Sequence, residues 1–231
     1  MRNLRFIGAA LALCLSMAGS TQAQMAAAPD DWQEGKNYYA IDPPQPTTSG
    51  DKIEVTEVFS YGCPACNASY PYIDKIRKGL PANAVMNFVP AAFNPAEDWP
   101  MFQRAYLAAK ALGVADKAHD AMFDAVWKSG ELGTMDKTTN RPKQPLPSIE
   151  DAAKFYAKYG VKEEDFLATA NSFTINTRMK QADAYIKATG VEQTPTIIVN
   201  GKYRFTVSSA GDWNKAEQLV QFLVGKESAG K

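Results

Sequence analysis

Two cysteines three positions apart are the residues of this chain best suited to chemistry. They stand in the motif Cys63-Pro64-Ala65-Cys66, which follows the apolar run 53–59 and the turn Tyr61-Gly62. Because proline is favoured at the first position of a helix, the pattern predicts a strand and then a helix beginning at Pro64. Unpaired N–H groups and the positive end of the helix dipole would face Cys63 and lower the pKa of its thiol.

A cysteine pair at a strand-to-helix junction is typical of thiol–disulfide exchange. We expect Cys63 to be accessible and acidic, Cys66 to be shielded one turn into the helix, and the pair to form a reactive Cys63–Cys66 disulfide. A stabilised thiolate favours the reduced form, which makes the disulfide an oxidant. The alternatives to a redox-active pair are an inert structural disulfide and a chance pair of cysteines in a core helix. We expect no metal site, since zinc needs about four ligands and His119 is the only other candidate.

The dipeptide Thr194-Pro195 is a second candidate element. It precedes the predicted strand 196–199, and a trans proline would fit poorly beside a central strand. A cis bond would leave the backbone of Thr194 free to pair with an extended peptide, so we expect substrate binding here. An ordinary loop proline is the alternative.

Glu57 is a third candidate, six residues before Cys63 on an otherwise apolar strand face. Burial there would raise the pKa of its carboxyl and let it exchange a proton with Cys66. A solvated position at the edge of the sheet is the alternative.

The order of elements predicts an α/β fold interrupted by helices. Strand and helix patterns fill 51–95, helical patterns fill 96–189, and a β-hairpin around Asn200-Gly201 with a final helix fills 190–225. We expect 24–50 to be an extension with a short strand at 37–41, and 226–231 to be a flexible tail. Strands are expected at 53–59, 85–90, 196–199 and 203–207.

Composition excludes some function classes. The 231 residues include 25 Lys and Arg, 25 Asp and Glu, one His and three Cys. A net charge of zero argues against nucleic-acid binding as a main activity.

The first 23 residues predict a cleavable export signal. Arg2 and Arg5 precede an apolar run at 6–18, and small residues flank Gln22. The apolar run is too short to span a bilayer as an uncleaved anchor. Cleavage would remove Cys14, leave Cys63 and Cys66 as the only cysteines, and give a net charge of about −2. We therefore expect an exported protein in an oxidising compartment.

The motifs together resemble one known family. The segment Glu57-Val58-Phe59-Ser60-Tyr61-Gly62-Cys63-Pro64-Ala65-Cys66 is similar to the DsbA-type periplasmic thiol:disulfide interchange proteins. Supporting matches occur at 111–114, at 171–173 and from 190 to 203. The resemblance covers nearly the whole mature chain. It implies a thioredoxin fold with a central mixed sheet and an inserted all-helical domain.

The resemblance also implies roles for individual residues. By position, Cys63 is the attacked and attacking sulfur, Cys66 its partner, Pro195 the cis-proline and Glu57 the buried acid. The family implies donation of a disulfide to newly exported proteins, without metal or organic cofactor, and re-oxidation by a DsbB-like membrane quinone reductase.

Two departures from the family pattern bear on function. Ala65 stands where the best-known members carry His, which predicts a weaker oxidant. Thr194 is also found in the isomerase relatives, so isomerase or reductase activity is an alternative, and a peptide-binding chaperone is another. The extension 24–50 is too short for the dimerisation domain of isomerases, which favours a monomeric oxidase in the periplasm.

Overall fold

The computed structural model describes residues 32–230. The predicted signal peptide and Cys14 lie outside these described residues. Within them, two sheets are formed by seven strands: β1 (Tyr39–Ala40), β2 (Ile53–Phe59), β3 (Ala84–Pro90), β4 (Met135–Asp136), β5 (Arg141–Pro142), β6 (Thr196–Val199) and β7 (Tyr203–Phe205). The α-helices are α1 (Pro64–Gly79), α2 (Trp99–Ala111), α3 (Ala115–Trp127), α4 (Ile149–Ala157), α5 (Glu163–Ala170), α6 (Phe173–Ala188), α7 (Val207–Ala210) and α8 (Trp213–Ala229).

The main sheet is mixed and has the strand order β1-β7-β6-β2-β3. Strand β2 lies near its middle, parallel to β3 and antiparallel to β6. Its sequence of β-branched and apolar residues is buried along its whole length. Such a strand needs cover on both faces, and the helices supply it. This is the thioredoxin fold with helices inserted between β3 and β6, as predicted.

The buried apolar residues around the sheet form separate clusters. Strands β2, β6 and β7 pack with α1 and α8 around Ile53, Ile73 and Leu223. The larger cluster lies among the inserted helices and contains Cys63 and Cys66 with the aromatic end of β2. The cysteine pair therefore lies where the thioredoxin-like part meets the helical insertion.

Local signals set several element boundaries. The side chain of Ser148 caps α4, and Asp151 completes a capping box. Asp212 caps α8 through a hydrogen bond from the Lys215 amide. The hairpin between β6 and β7 turns at Asn200 and Gly201, whose φ angles are 53° and 65°. Positive φ at both positions is what a tight type I′ turn requires.

Three expectations about elements were wrong. The strand predicted at 203–207 ends at Phe205, because Thr206 caps the short helix α7. The tail expected from 226 is instead the last turn of α8, anchored by Glu227, which bonds Asn200 and Lys202. The insertion at 96–189, which was expected to be all-helical, also contains the small β4–β5 sheet. The proposed domain limits themselves stay predictions.

Candidate active site

Cys63 occupies the N-cap position of α1. Its backbone is extended, with φ −85° and ψ 120°, and Pro64 follows inside the first turn. The Cys63 Sγ accepts a hydrogen bond from the Cys66 amide at 3.4 Å. The helix N-terminus thus directs unpaired donors at this sulfur, as the motif predicted.

The two thiols have opposite acidities. Hydrogen bonds from the side chains of Cys66 and Thr194 and from the amides of Ala65 and Cys66 outweigh burial and lower the pKa of Cys63 to about 6. Burial raises the pKa of Cys66 well above its ordinary value, and nearby Cys63 and Glu57 raise it further. Cys63 is therefore the thiol that ionises first.

The structure holds both cysteines as free thiols, the dithiol form. The expected Cys63–Cys66 disulfide stays a prediction. Cys63 is 5% exposed and Cys66 is completely buried. Cys63 is thus the more exposed of the two, but it is less accessible than predicted because the helical cluster packs around it.

The loop before β6 faces the acidic sulfur. The Thr194–Pro195 peptide bond is cis, as predicted. The Cys63 thiol donates a hydrogen bond to the Thr194 carbonyl oxygen at 3.4 Å. Residues 131 positions apart in the chain are thereby brought into contact. Thr194 precedes the first residue of β6, Thr196, so it lies outside the ladder of the sheet.

Glu57 is buried in the middle of the sheet, not solvated at an edge. It is 2% exposed, and its register partners are Phe88 on β3 and Ile197 on β6. Burial raises the pKa of its carboxyl to about 8, and the nearby Cys63 contributes. The carboxyl group can therefore hold a proton at neutral pH.

Within residues 32–230 no group of His, Cys, Asp and Glu side chains is arranged to hold a metal ion. No helix in that range has the length and apolarity needed to cross a membrane.

Comparison with known proteins agrees with this geometry. A family model described as thioredoxin matches residues 51–220. The thiol:disulfide interchange protein DsbA of Pseudomonas aeruginosa is 37% identical over 219 residues, which cover 95% of this chain and 97% of that protein. This chain belongs to the DsbA family. DsbA of Azotobacter vinelandii is 32% identical over the full length of both chains.

Solved DsbA structures share the fold. The crystal structure of Pseudomonas aeruginosa DsbA has a TM-score of 0.74 at 36% identity and covers 87% of this chain and 97% of its own. DsbA from Xylella fastidiosa has a TM-score of 0.73 at 33% identity, covering 84% of this chain and 97% of its own. As a member of the DsbA family, the protein is a thiol:disulfide oxidoreductase.

In this DsbA-family chain an aromatic support holds the turn before the cysteines. Tyr61 is buried, and its hydroxyl lies 3.0 Å from the Nδ1 of His119. The Trp127 indole donates to the carbonyl oxygen of Tyr61 at 2.8 Å. From the sequence, His119 was considered only as a metal ligand, and its contact with Tyr61 was not predicted. The only signal was a lone His on an otherwise apolar helix face.

Trp99 explains the glycine beside the cysteines. A Cβ added to Gly62 would lie 2.6 Å from the Trp99 Nε1, so any larger residue must displace the indole. The Trp99 ring is buried, whereas Phe93, 6.4 Å away between ring centroids, is 43% exposed. Trp99 therefore packs in the core beneath the turn, whereas Phe93 lies on the surface beside it.

Proposed function

We propose that this protein is an exported dithiol oxidase that donates its Cys63–Cys66 disulfide to proteins with free thiols. The difference in acidity between the two thiols carries this proposal. A Cys63 thiol with a pKa of about 6 is mostly thiolate at neutral pH. Stabilising the thiolate stabilises the dithiol form, so the disulfide tends to pass to the substrate.

The reaction takes place in two exchange steps. A substrate thiolate attacks the Cys63 sulfur, forms a mixed disulfide and breaks the Cys63–Cys66 bond, whose electron pair leaves on Cys66. The second substrate thiolate then attacks the substrate sulfur of the mixed disulfide, and Cys63 leaves as a thiolate. The substrate loses two electrons and two protons. The protein gains the electrons, Cys66 takes one proton and solvent takes the other.

Glu57 is the proposed proton donor to Cys66. Because the pKa of the Cys66 thiol is raised well above its ordinary value, its thiolate is costly and takes a proton readily. The pKa of Glu57 is about 8, so its carboxyl carries a proton at neutral pH. The two groups interact electrostatically, which supports transfer between them.

Thr194 is the proposed anchor for the substrate backbone. It contacts the reactive sulfur through its carbonyl oxygen and lies outside the sheet ladder. An extended peptide could pair with the backbone of Thr194 in the manner of a strand while its cysteine meets Cys63.

The cellular setting follows from the N-terminal sequence. The signal at 1–23 would direct the protein to the periplasm, where its partners would be folding exported proteins with free thiols. A DsbB-like membrane quinone reductase would re-oxidise Cys63 and Cys66, and the protein would act as a monomer.

A stoichiometric transfer experiment tests the proposal. The oxidised protein is mixed with a reduced peptide containing two cysteines, and thiols are followed by alkylation and mass spectrometry. We expect one peptide disulfide for each Cys63–Cys66 disulfide consumed. The Cys66→Ser variant, first oxidised to a mixed disulfide between Cys63 and glutathione, should react with the thiolate of a single-cysteine peptide, release glutathione as a thiolate and remain trapped as the Cys63–peptide disulfide. The Cys63→Ser variant should form no mixed disulfide.

Other outcomes would separate the alternatives. Faster rearrangement of a scrambled disulfide protein than oxidation of a reduced one would identify an isomerase. A Cys63→Ser/Cys66→Ser double variant that still prevents aggregation of an unfolded protein, beside a wild type that transfers no disulfide, would identify a chaperone.

A further inference from the structure

A polar cavity adjoins the loop that faces Cys63. Its volume is about 360 Å³, and its lining includes Gln193 and Thr196, the two residues that flank Thr194-Pro195. Because Ile197 pairs with Phe205, the start of β6 and the end of β7 lie at the same end of the sheet. The cavity therefore opens beside the path proposed for the substrate backbone.

Arg204 supplies a cation to this cavity. It lies on β7, and the centre of its guanidinium group is 5.5 Å from the Tyr39 ring centroid. Gly190 allows close approach, since a Cβ there would lie 3.2 Å from a guanidinium nitrogen. The guanidinium group thus lies close to both an aromatic ring and a glycine backbone.

Among residues 32–230 this guanidinium group has no carboxylate partner in an ion pair. The ion pairs found among residues 32–230 use other cations, and none includes Arg204. Glu192 also lines the cavity, but it is exposed and forms no ion pair with Arg204 in that part of the chain. A planar fork of N–H donors fixed in this way matches a carboxylate from another molecule.

We propose that the cavity is a substrate subsite in which Arg204 binds an acidic side chain near the reacting cysteine. This inference rests on the proposed function, since the substrate must be a peptide held at Thr194. An extended peptide advances roughly 3.3 Å per residue, so the test moves the acidic residue stepwise along the positions near the cysteine. Arg204 is then a specificity-determining residue that takes no part in the exchange of sulfur bonds.

Paired peptides test the subsite. Each peptide carries two cysteines and either Asp or Asn, placed in turn two, three or four residues to either side of the reacting cysteine. The measured quantity is the ratio of second-order oxidation rates for the Asp and Asn peptides. We expect wild-type protein to favour Asp by about three- to tenfold at one of these positions, less at high salt.

Three variants locate the preference. Arg204→Gln should bring the Asp/Asn ratio close to one, while Arg178→Gln, which removes the same charge from the exposed surface of α6, should leave it unchanged. Glu192→Gln should raise the ratio, because it removes a competing carboxylate from the cavity. This third variant does not disturb the packing of Arg204 on Tyr39, so it tests the subsite even if Arg204→Gln folds poorly.

Two results would overturn the subsite while leaving the proposed oxidase intact. One is equal oxidation of Asp and Asn peptides at every position by wild-type protein. The other is an unchanged ratio in Arg204→Gln. If no peptide were oxidised, the proposed function would fail instead. Calorimetric binding of matching peptides with Ser in place of Cys would then decide the subsite, since equal affinity for the Asp and Asn forms would reject it.

Discussion

Glu54 and Glu57 lie three residues apart on β2, both almost fully buried, yet the pKa values of their carboxyls shift in opposite directions. Burial alone would raise both pKa values. Glu54 accepts hydrogen bonds from four side chains and one amide, which together outweigh burial and lower its pKa; the donors are Thr48, Ser49, Thr56 and Asn87. For Glu57 burial dominates. One strand therefore carries a structural carboxylate and a carboxylic acid ready to give up a proton.

The first prediction concerns stability against pH in Glu57→Gln. The unfolded carboxyl loses its proton near pH 4.5 and the folded one near pH 8, so Glu57 costs stability as pH rises through this window. At pH 8 and above the cost reaches up to about 5 kcal/mol. In urea unfolding of the reduced proteins, the free energy of unfolding of Glu57→Gln should rise relative to that of wild type from pH 5 to pH 8.

Glu54→Gln is the matched control for that experiment. Because hydrogen bonds lower the pKa of Glu54, its contribution to stability is present above pH 4.5 and lost as pH falls. The variant should be less stable than wild type at neutral pH. A Glu57→Gln protein whose stability runs parallel to wild type across the window would contradict burial of an ionisable Glu57.

The second prediction concerns the acidity of Cys63. Alkylation by iodoacetamide should follow a titration with a midpoint near pH 6, and Cys66 should stay unreactive through neutral pH. The folded pKa lies below the ordinary value of 9.0, so the reduced form should gain stability as pH rises from 6 to 9. A midpoint near the ordinary thiol value would remove the main support for the oxidase.

Local sequence signals were sufficient for much of the fold. Proline after Cys63 and the Asn200-Gly201 turn each act within a few residues, and the structure places both where the sequence predicted. Strand β2 was recovered with its predicted bounds because five of its seven residues are apolar or β-branched. The cis bond at Pro195 was predicted from its place before β6.

Contacts between residues far apart in the chain could not be predicted from the sequence. Glu227 extends α8 through bonds to Asn200 and Lys202, which no helix propensity reveals. Tyr61 and His119 lie 58 positions apart and meet only when α3 packs against the end of β2. The burial that leaves Cys63 only 5% exposed likewise comes from the inserted helices.

The third prediction concerns the Tyr61–His119 pair. Burial lowers the pKa of His119 to about 4, so it is neutral at pH 7. His119→Phe leaves the buried Tyr61 hydroxyl without this partner, which should cost about 1–3 kcal/mol of unfolding free energy at pH 7. The Tyr61→Phe/His119→Phe double variant should recover part of the loss. Additive effects of the two single substitutions would show that the side chains are not coupled.

The same histidine should make the wild type acid-sensitive. The unfolded imidazole binds a proton near pH 6.5 and the folded one near pH 4, so stability falls as pH drops through this range. The difference amounts to about 3 kcal/mol. His119→Phe should lack this loss of stability at low pH. The loss is measured as the difference between the two proteins in how the free energy of urea unfolding changes with pH. Profiles with the same slope between pH 6.5 and pH 4 would place His119 in contact with solvent.

The fourth prediction concerns Ala65, where the best-known family members carry His. Ala65 is exposed, and its amide is one of the donors that lower the pKa of the Cys63 thiol. Ala65→His adds a hydrogen-bonding and partly positive group beside the thiolate, which stabilises the dithiol form further. We expect the pKa of Cys63 to fall and the reduction potential to rise by roughly 10–30 mV, which corresponds to about 0.5–1.4 kcal/mol. Equilibration with glutathione gives the potential, and Ala68→His, an exposed position one turn further along α1, is the control. An equal rise in both variants would mean that the effect is a general one of added charge, and an unchanged potential in Ala65→His would mean that the amides of α1 already set the acidity of Cys63.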